Sequence, residues 1–138
     1  MRNILEVKDL TKSFDEKVVH RGVSFHLGEG ETIGLLGNSG TGKSVLLRAI
    51  IGLEPIDDGE IYFHNQRIDS LTETQMYAVR TKISYSFQTG ALFDSISVYE
   101  NIAYPLFEHT KLSEAKIESK VQEILEIVNM KDAMNLMP

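Results

Sequence analysis

Thr32-Ile33-Gly34-Leu35-Leu36-Gly37-Asn38-Ser39-Gly40-Thr41-Gly42-Lys43-Ser44-Val45-Leu46-Leu47-Arg48-Ala49-Ile50-Ile51-Gly52 is the stretch on which the reading of this chain turns. It opens on a short run, Thr32 to Leu36, apolar on consecutive positions, the pattern of a central parallel strand buried on both faces. It closes on an apolar segment, Ser44 to Ile51, that reads as a buried helix stopped by Gly52, with Pro55 just beyond. Between them Gly37 to Ser44 satisfies G-x-x-x-x-G-K-[ST] at every fixed position. Each element of that pattern has a physical task. Successive backbone N–H groups must point inward to form an anion nest, and glycine lets the backbone approach a phosphate without a side chain in the way. The following helix offers its free N–H groups and roughly half a positive charge at its start. Lys43 supplies a full charge to the outer phosphates, and the Ser44 hydroxyl is placed to ligate Mg²⁺.

Outward from this loop, strands and helices alternate, which implies an α/β layer architecture. Toward the N-terminus, Leu5, Val7 and Leu10 on one side, and Val23, Phe25 and Leu27 on the other, read as half-buried strands of an added antiparallel sheet. Toward the C-terminus, Ile61 to Phe63 and the residues around Ile68 predict a hairpin turning at His64-Asn65, where Asn tolerates a left-handed backbone. Thr72 with Gln75, and Ser97 with Glu100, have capping-box spacing. The first box opens a helix to Arg80. The second opens a short helix expected to end at Pro105. Ile83 to Phe87 reads as a strand leading into Gln88. Ser113 caps a long helix with Ile117, Val121, Ile124, Leu125 and Val128 on one face.

Composition narrows the field. The chain has 138 residues, 42% of them hydrophobic and 25% charged, which suits one domain or most of one. A net charge of -6 argues against a nucleic-acid partner, which wants a basic face. There are no cysteines, so disulfides and thiolate metal sites are excluded. No apolar run reaches the length of a membrane span, and Met1 to Glu6 lacks the apolar core of a signal peptide, so a membrane role would pass through a partner. The histidines at 20, 26, 64 and 109 show no metal-ligand helical spacing.

With these residues in view, the chain resembles the ABC-transporter ATPase family over essentially its whole length. Leu5 to Phe14 looks like the family's first strand, and Phe14 falls where the family places an aromatic that stacks on adenine. Gln88 matches the glutamine that senses Mg²⁺ and the γ-phosphate, and Ser97-Val98-Tyr99-Glu100-Asn101-Ile102 follows it as in the family. The resemblance implies a nucleotide site of Phe14, Gly37, Asn38, Ser39, Gly40, Thr41, Gly42, Lys43, Ser44 and Val45, with Ser44 and Gln88 at the metal, and ATP and Mg²⁺ as cofactors. It implies a dimer of ATPase subunits and a membrane-embedded permease docking on the loop Gly90 to Ser95, at the cytoplasmic face of the inner membrane. The segments Gly40 to Leu47 and Gly90 to Ser95 are most similar to the ATPases of bacterial MCE-type systems that move phospholipid between two membranes.

The sequence also departs from the family. Asn65 replaces a common hairpin Gly. More consequential, the chain reaches Leu136-Met137-Pro138 without the signature motif, the acidic Walker B strand, the catalytic glutamate or the switch histidine. The fold class expected is therefore α/β: a P-loop NTPase core with a parallel sheet, an N-terminal antiparallel subdomain, and an incomplete C-terminal end. Residues 1–138 read as one nucleotide-binding domain, truncated before the signature motif. Asp94, the one carboxylate in a suggestive loop, is a weak candidate for a base. Two other readings stand beside the transport ATPase. One is a nucleotide-binding module without turnover. The other is a P-loop kinase of small substrates, against which the antiparallel N-terminal part and Phe14 argue.

Overall fold

The computed structural model describes residues 3–138, which fall into two compact units parting between Ser84 and Tyr85. Met1 and Arg2, the start of the segment read for a signal peptide, lie outside the described residues.

In the first unit, β1 (Asn3–Phe14) lies between β2 (Lys17–Gly28) and β3 (Asp58–Phe63), and β3 carries the short β4 (Gln66–Arg67). All three pairings are antiparallel. By simple alternation Val7 and Leu10, three residues apart, would face opposite sides of the sheet. The register of β1 with β2 shifts at several points, one of them between Val7 and Leu10. Asp9 there has φ 47°. Its N–H donates to the Ser24 hydroxyl (2.8 Å), which donates back to the Asp9 carboxylate (3.1 Å). The extra residue of this bulge shifts the phase of the strand, so Val7, Leu10 and Lys12 are all buried. Gly59 packs on the bulge, where a Cβ would stand 2.6 Å from the Lys8 carbonyl oxygen.

The hairpin from β3 to β4 turns where the sequence places it, with His64 at φ 48° and Asn65 at φ 65°. Both central residues at positive φ match the right-handed twist of the strands. Helix α1 (Lys43–Ile50) buries Leu46, Ala49 and Ile50, while Leu47 is exposed. It is therefore one-sided rather than buried all round. Helix α2 (Glu73–Arg80) starts at the expected capping box: Gln75 N–H donates to the Thr72 hydroxyl, and Thr72 N–H donates to the Gln75 amide oxygen at 2.9 Å. Val7, Leu10, Leu46, Ala49, Ile50, Ile61, Ile68, Met76 and Val79 form the core of this unit.

Two stretches differ from expectation. Residues 32–36 and 83–87 carry no strand pairing among the described residues. A strand is held by ladder bonds to a neighbour, and the described residues give neither stretch a parallel neighbour. Leu36 is consequently 96% exposed.

The second unit pairs α3 (Val98–His109) with α4 (Glu114–Ile127), followed by a 3₁₀ turn at Lys131–Ala133. The second capping box is present at Ser97 and Glu100. The tail closes on the same end: Val98 and Tyr99 N–H donate to the carbonyls of Leu136 and Met134, both at 2.9 Å. Pro105 does not end α3 but lies inside it. A mid-helix proline costs about 3 kcal/mol; here Ala103, with Ile102 and Leu106 beside it, is packed into the core with α4 and keeps the helix running. On α4 only Ile117, Val121 and Leu125 are buried. Ile124 and Val128, expected on the same face, are exposed, because the stripe covered by α3 is narrower than the apolar one.

Candidate nucleotide-binding site

Residues 37–42 form an open loop that enters α1 through Gly42, at φ 90° and ψ 6°. Only glycine serves there. The φ is left-handed, and a Cβ would meet Val19 Cγ1 at 2.3 Å and His20 Nε2 at 2.9 Å. The loop thus rests directly on β2. His20, among the buried polar residues, places Nε2 3.0 Å from the Gly42 carbonyl oxygen; that oxygen is an acceptor, so Nε2 carries the proton. The same oxygen accepts from Leu46 N–H at 2.9 Å, the first regular bond of the helix.

Lys43 folds back over the loop. Its ammonium donates to the carbonyls of Gly37 and Asn38, both at 2.7 Å, and the Thr41 hydroxyl donates to the Asn38 carbonyl at 2.9 Å. With these carbonyls turned toward lysine and threonine, the nest is shaped from within. Asn38, Ser39, Gly40 and Ser44 are exposed, and Val45 is half-buried. No acidic residue lies in the first turn of α1 and no side chain caps it, whereas α2 and α3 both begin with closed capping boxes. The first-turn N–H groups of α1 face no competing carboxylate, which suits a phosphate. This donor set, an ammonium, free helix amides and an exposed hydroxyl, fits a nucleotide phosphate with a magnesium ion on Ser44.

Phe14 ends β1 and is 43% exposed, so it is not a core aromatic. Its ring lies over the Lys12 ammonium, 4.8 Å from the ring centroid. Gln88 belongs to the second unit, where it is exposed in an irregular segment. In the loop of residues 90–95, Leu92 and Phe93 are 54% and 58% exposed rather than tucked in. The loop is pinned by Asn101, whose side chain accepts from Phe93 N–H (2.8 Å) and donates to the carbonyls of Phe93 (2.9 Å), Ile96 (3.2 Å) and Ser97 (3.0 Å).

Sequence reasoning missed the residues that hold these parts in place. Lys12 and His20 gave no signal, because their burial depends on the β1 bulge and on the loop lying against β2. Asp57, read as a turn, accepts from Ser13 N–H at 2.6 Å. Arg80 caps the far end of α1, donating to the carbonyls of Ile51 (2.9 Å) and Gly52 (2.8 Å). Among the described residues, no group of three or more histidines and carboxylates is placed to hold a metal ion.

A loop of this shape between an antiparallel sheet and a helix defines a nucleotide-binding class, and comparison with known proteins gives the family. The sequence model of the ABC transporter family matches residues 20–137, and the chain belongs to that family. It is 40% identical over 136 residues to the chloroplastic protein trigalactosyldiacylglycerol 3 of Arabidopsis thaliana, covering 98% of this chain and 39% of that protein. It is 36% identical over 136 residues to the intermembrane phospholipid transport system ATP-binding protein MlaF of Escherichia coli, covering 99% of this chain and 51% of MlaF. Among solved structures, the ATP-binding cassette MJ0796 in a dimeric post-hydrolysis state with ADP and Pi superposes with a TM-score of 0.87 at 26% identity, over 97% of this chain and 61% of that one. The fold is that of the ABC ATPases. The chain spans about half the length or less of these curated relatives.

Proposed function

We propose that this chain supplies the ATP-binding part of an ABC-transporter ATPase subunit that couples ATP binding and hydrolysis to movement of phospholipid between membranes. One observation carries the reading: α1 begins on an uncapped left-handed glycine, with Lys43 folded over a loop whose amides have no competing carboxylate. The substrate rests on similarity to MlaF, whose name specifies intermembrane phospholipid transport. Residues 1–138 act as one nucleotide-binding domain in this reading.

Gly37, Asn38, Ser39, Gly40, Thr41 and Gly42 wrap the phosphates with backbone N–H groups, and Lys43 turns from the loop carbonyls to the β- and γ-oxygens. Ser44 would hold Mg²⁺, and Gln88 would serve as a further metal ligand and γ-phosphate sensor. Val45 lies at the first turn of α1. Phe14 stacks on the base. When bound there, Mg²⁺ would supply positive charge to the phosphate oxygens. A second ATPase subunit completes each site, and the apolar loop of residues 90–95 receives a helix of a membrane-embedded permease. The protein then works at the cytoplasmic face of the inner membrane through that permease; no helix among the described residues is long and apolar enough to cross a membrane.

A second reading applies to residues 1–138 taken alone: nucleotide binding without turnover. Hydrolysis needs a positioned water and a group to orient it, and these residues offer only the charge-neutralising part. Phosphate release from Mg-ATP by the purified chain, with Lys43→Ala as control, tests this. No release above background is expected, with weak ATP binding that Lys43→Ala weakens further, about ten- to hundred-fold. Release that Lys43→Ala removes would show a complete catalytic centre here. ATP binding indifferent to Lys43→Ala would remove the site altogether.

A further inference from the structure

We infer that Lys12 is a positioning residue for the base: it fixes the plane of the Phe14 ring against the segment leaving the phosphate-loop helix. The inference rests on the nucleotide reading above and concerns how base recognition is tied to phosphate recognition.

Lys12 is 6% exposed. Its ammonium lies 3.0 Å from Glu54, 3.7 Å from Asp57 and 4.8 Å from the centroid of the Phe14 ring. A buried cation is costly unless it is paired, and this one is matched by two carboxylates and by the negative face of an aromatic ring. Both carboxylates belong to the stretch that follows α1, the helix whose first turn carries the phosphate loop. Backbone bonds complete the brace. Asp57 N–H donates to the Thr11 carbonyl at 2.9 Å, and Ser13 N–H donates to the Asp57 carboxylate at 2.6 Å. Residues 11, 12 and 13 of β1 are thus each tied to one segment, and Phe14 comes next. Phe14 itself ends the strand beside the two-residue turn Asp15-Glu16 and is partly open to solvent.

A ring at a strand end has rotational freedom that stacking must remove. Lys12 under one face removes it in advance and leaves the opposite face as the platform for a base. The brace predicts a division of labour. The part of the affinity that depends on the base requires Lys12, and the part that depends on the phosphates does not.

The test measures dissociation constants of the full chain for Mg-ATP and for magnesium tripolyphosphate, which has the phosphates and no base. Lys12→Met should weaken Mg-ATP about ten-fold, within the range of one lost base stack, and leave tripolyphosphate unchanged. Lys12→Arg should restore most of the ATP affinity. In a Phe14→Ala background, Lys12→Met should add nothing. Should Lys12→Met not fold by circular dichroism, Glu54→Gln makes the same comparison from the other side of the brace. Equal losses for both ligands, no loss for ATP, or full additivity with Phe14→Ala would each overturn the inference while leaving the phosphate site standing. A Phe14→Ala chain that binds ATP like the parent would overturn the stacking and the brace together. Tripolyphosphate binding indifferent to Lys43→Ala would overturn the phosphate site itself.

Discussion

Residues 37–44 and residues 90–95 are both largely exposed segments, and the proposed function gives them opposite partners. The first is glycine-rich and polar, and polar contacts hold it on two sides: part-buried His20 at the Gly42 carbonyl, and Lys43 over the carbonyls of Gly37 and Asn38. The second shows two apolar side chains to solvent, Leu92 and Phe93, and is tied by the side chain of Asn101. A loop that takes an anion must present N–H groups and so cannot spend them internally. A loop that takes a protein must present apolar area and can spend all its backbone groups on holding its shape. The two loops therefore respond to different substitutions.

The largest effect should come from Gly42→Val. It forces a left-handed backbone on a β-branched residue and drives its Cβ into Val19 and His20, with strain alone of about 1–3 kcal/mol. ATP binding should disappear, measured by calorimetry, while the second unit keeps its helices. Retained affinity would mean that the loop does not need its seat on β2. Lys43→Ala comes next. Charge-assisted hydrogen bonds contribute about 1.5–3 kcal/mol, so ATP affinity should fall about ten- to hundred-fold with no change in thermal stability beyond a degree or two.

The second loop sharpens the contrast. Asn101→Ala removes the bonds to Phe93, Ile96 and Ser97, each worth about 1 kcal/mol net. It should destabilise the second unit by roughly 1–3 kcal/mol without altering ATP affinity. Phe93→Asp should remove the edge-on contact with Tyr104, worth about 0.5–1.5 kcal/mol, leave ATP affinity unchanged, and abolish crosslinking from position 95 to a permease in membranes. Crosslinking that survives Phe93→Asp would take this loop out of the interface.

The smallest effect is a pH dependence that includes two helix starts. The Ser97 hydroxyl and then the Ser97 backbone N–H hold the Glu100 carboxyl below its usual range. The Arg80 guanidinium does the same for Glu73 by hydrogen bond and charge. Groups with lowered folded values stabilise the fold above the unfolded carboxylate pKa, about 4.3. That contribution is lost as pH falls below it and through the lower folded values. Acid titration followed by helix circular dichroism should therefore show a loss below about pH 4, smaller in Glu100→Gln. ATP affinity between pH 6 and 8, a range about the neutral point chosen well above both groups, should not register it.

Much of this was legible from residue order, for a definite reason. The phosphate loop, both capping boxes, the turn at His64-Asn65 and the stop at Gly52 depend on backbone dihedrals and on hydrogen bonds reaching three or four residues. All of these are present as local patterns. What needed the tertiary structure involves partners far along the chain. The stretches 32–36 and 83–87 have the composition of strands, but composition does not provide the neighbour that a ladder requires. Pro105 reads as a helix stop, yet packing against α4 outweighs its local cost. Ile124 and Val128 share the apolar pattern of Val121 and Leu125, but only the stripe that α3 covers is buried. Lys12 looks like a solvated strand residue until the bulge at Asp9 turns it inward, where Glu54, Asp57 and Phe14 meet it from positions up to 45 residues away. Local chemistry determined which groups could bind a phosphate; only the long-range packing decided what holds them in place.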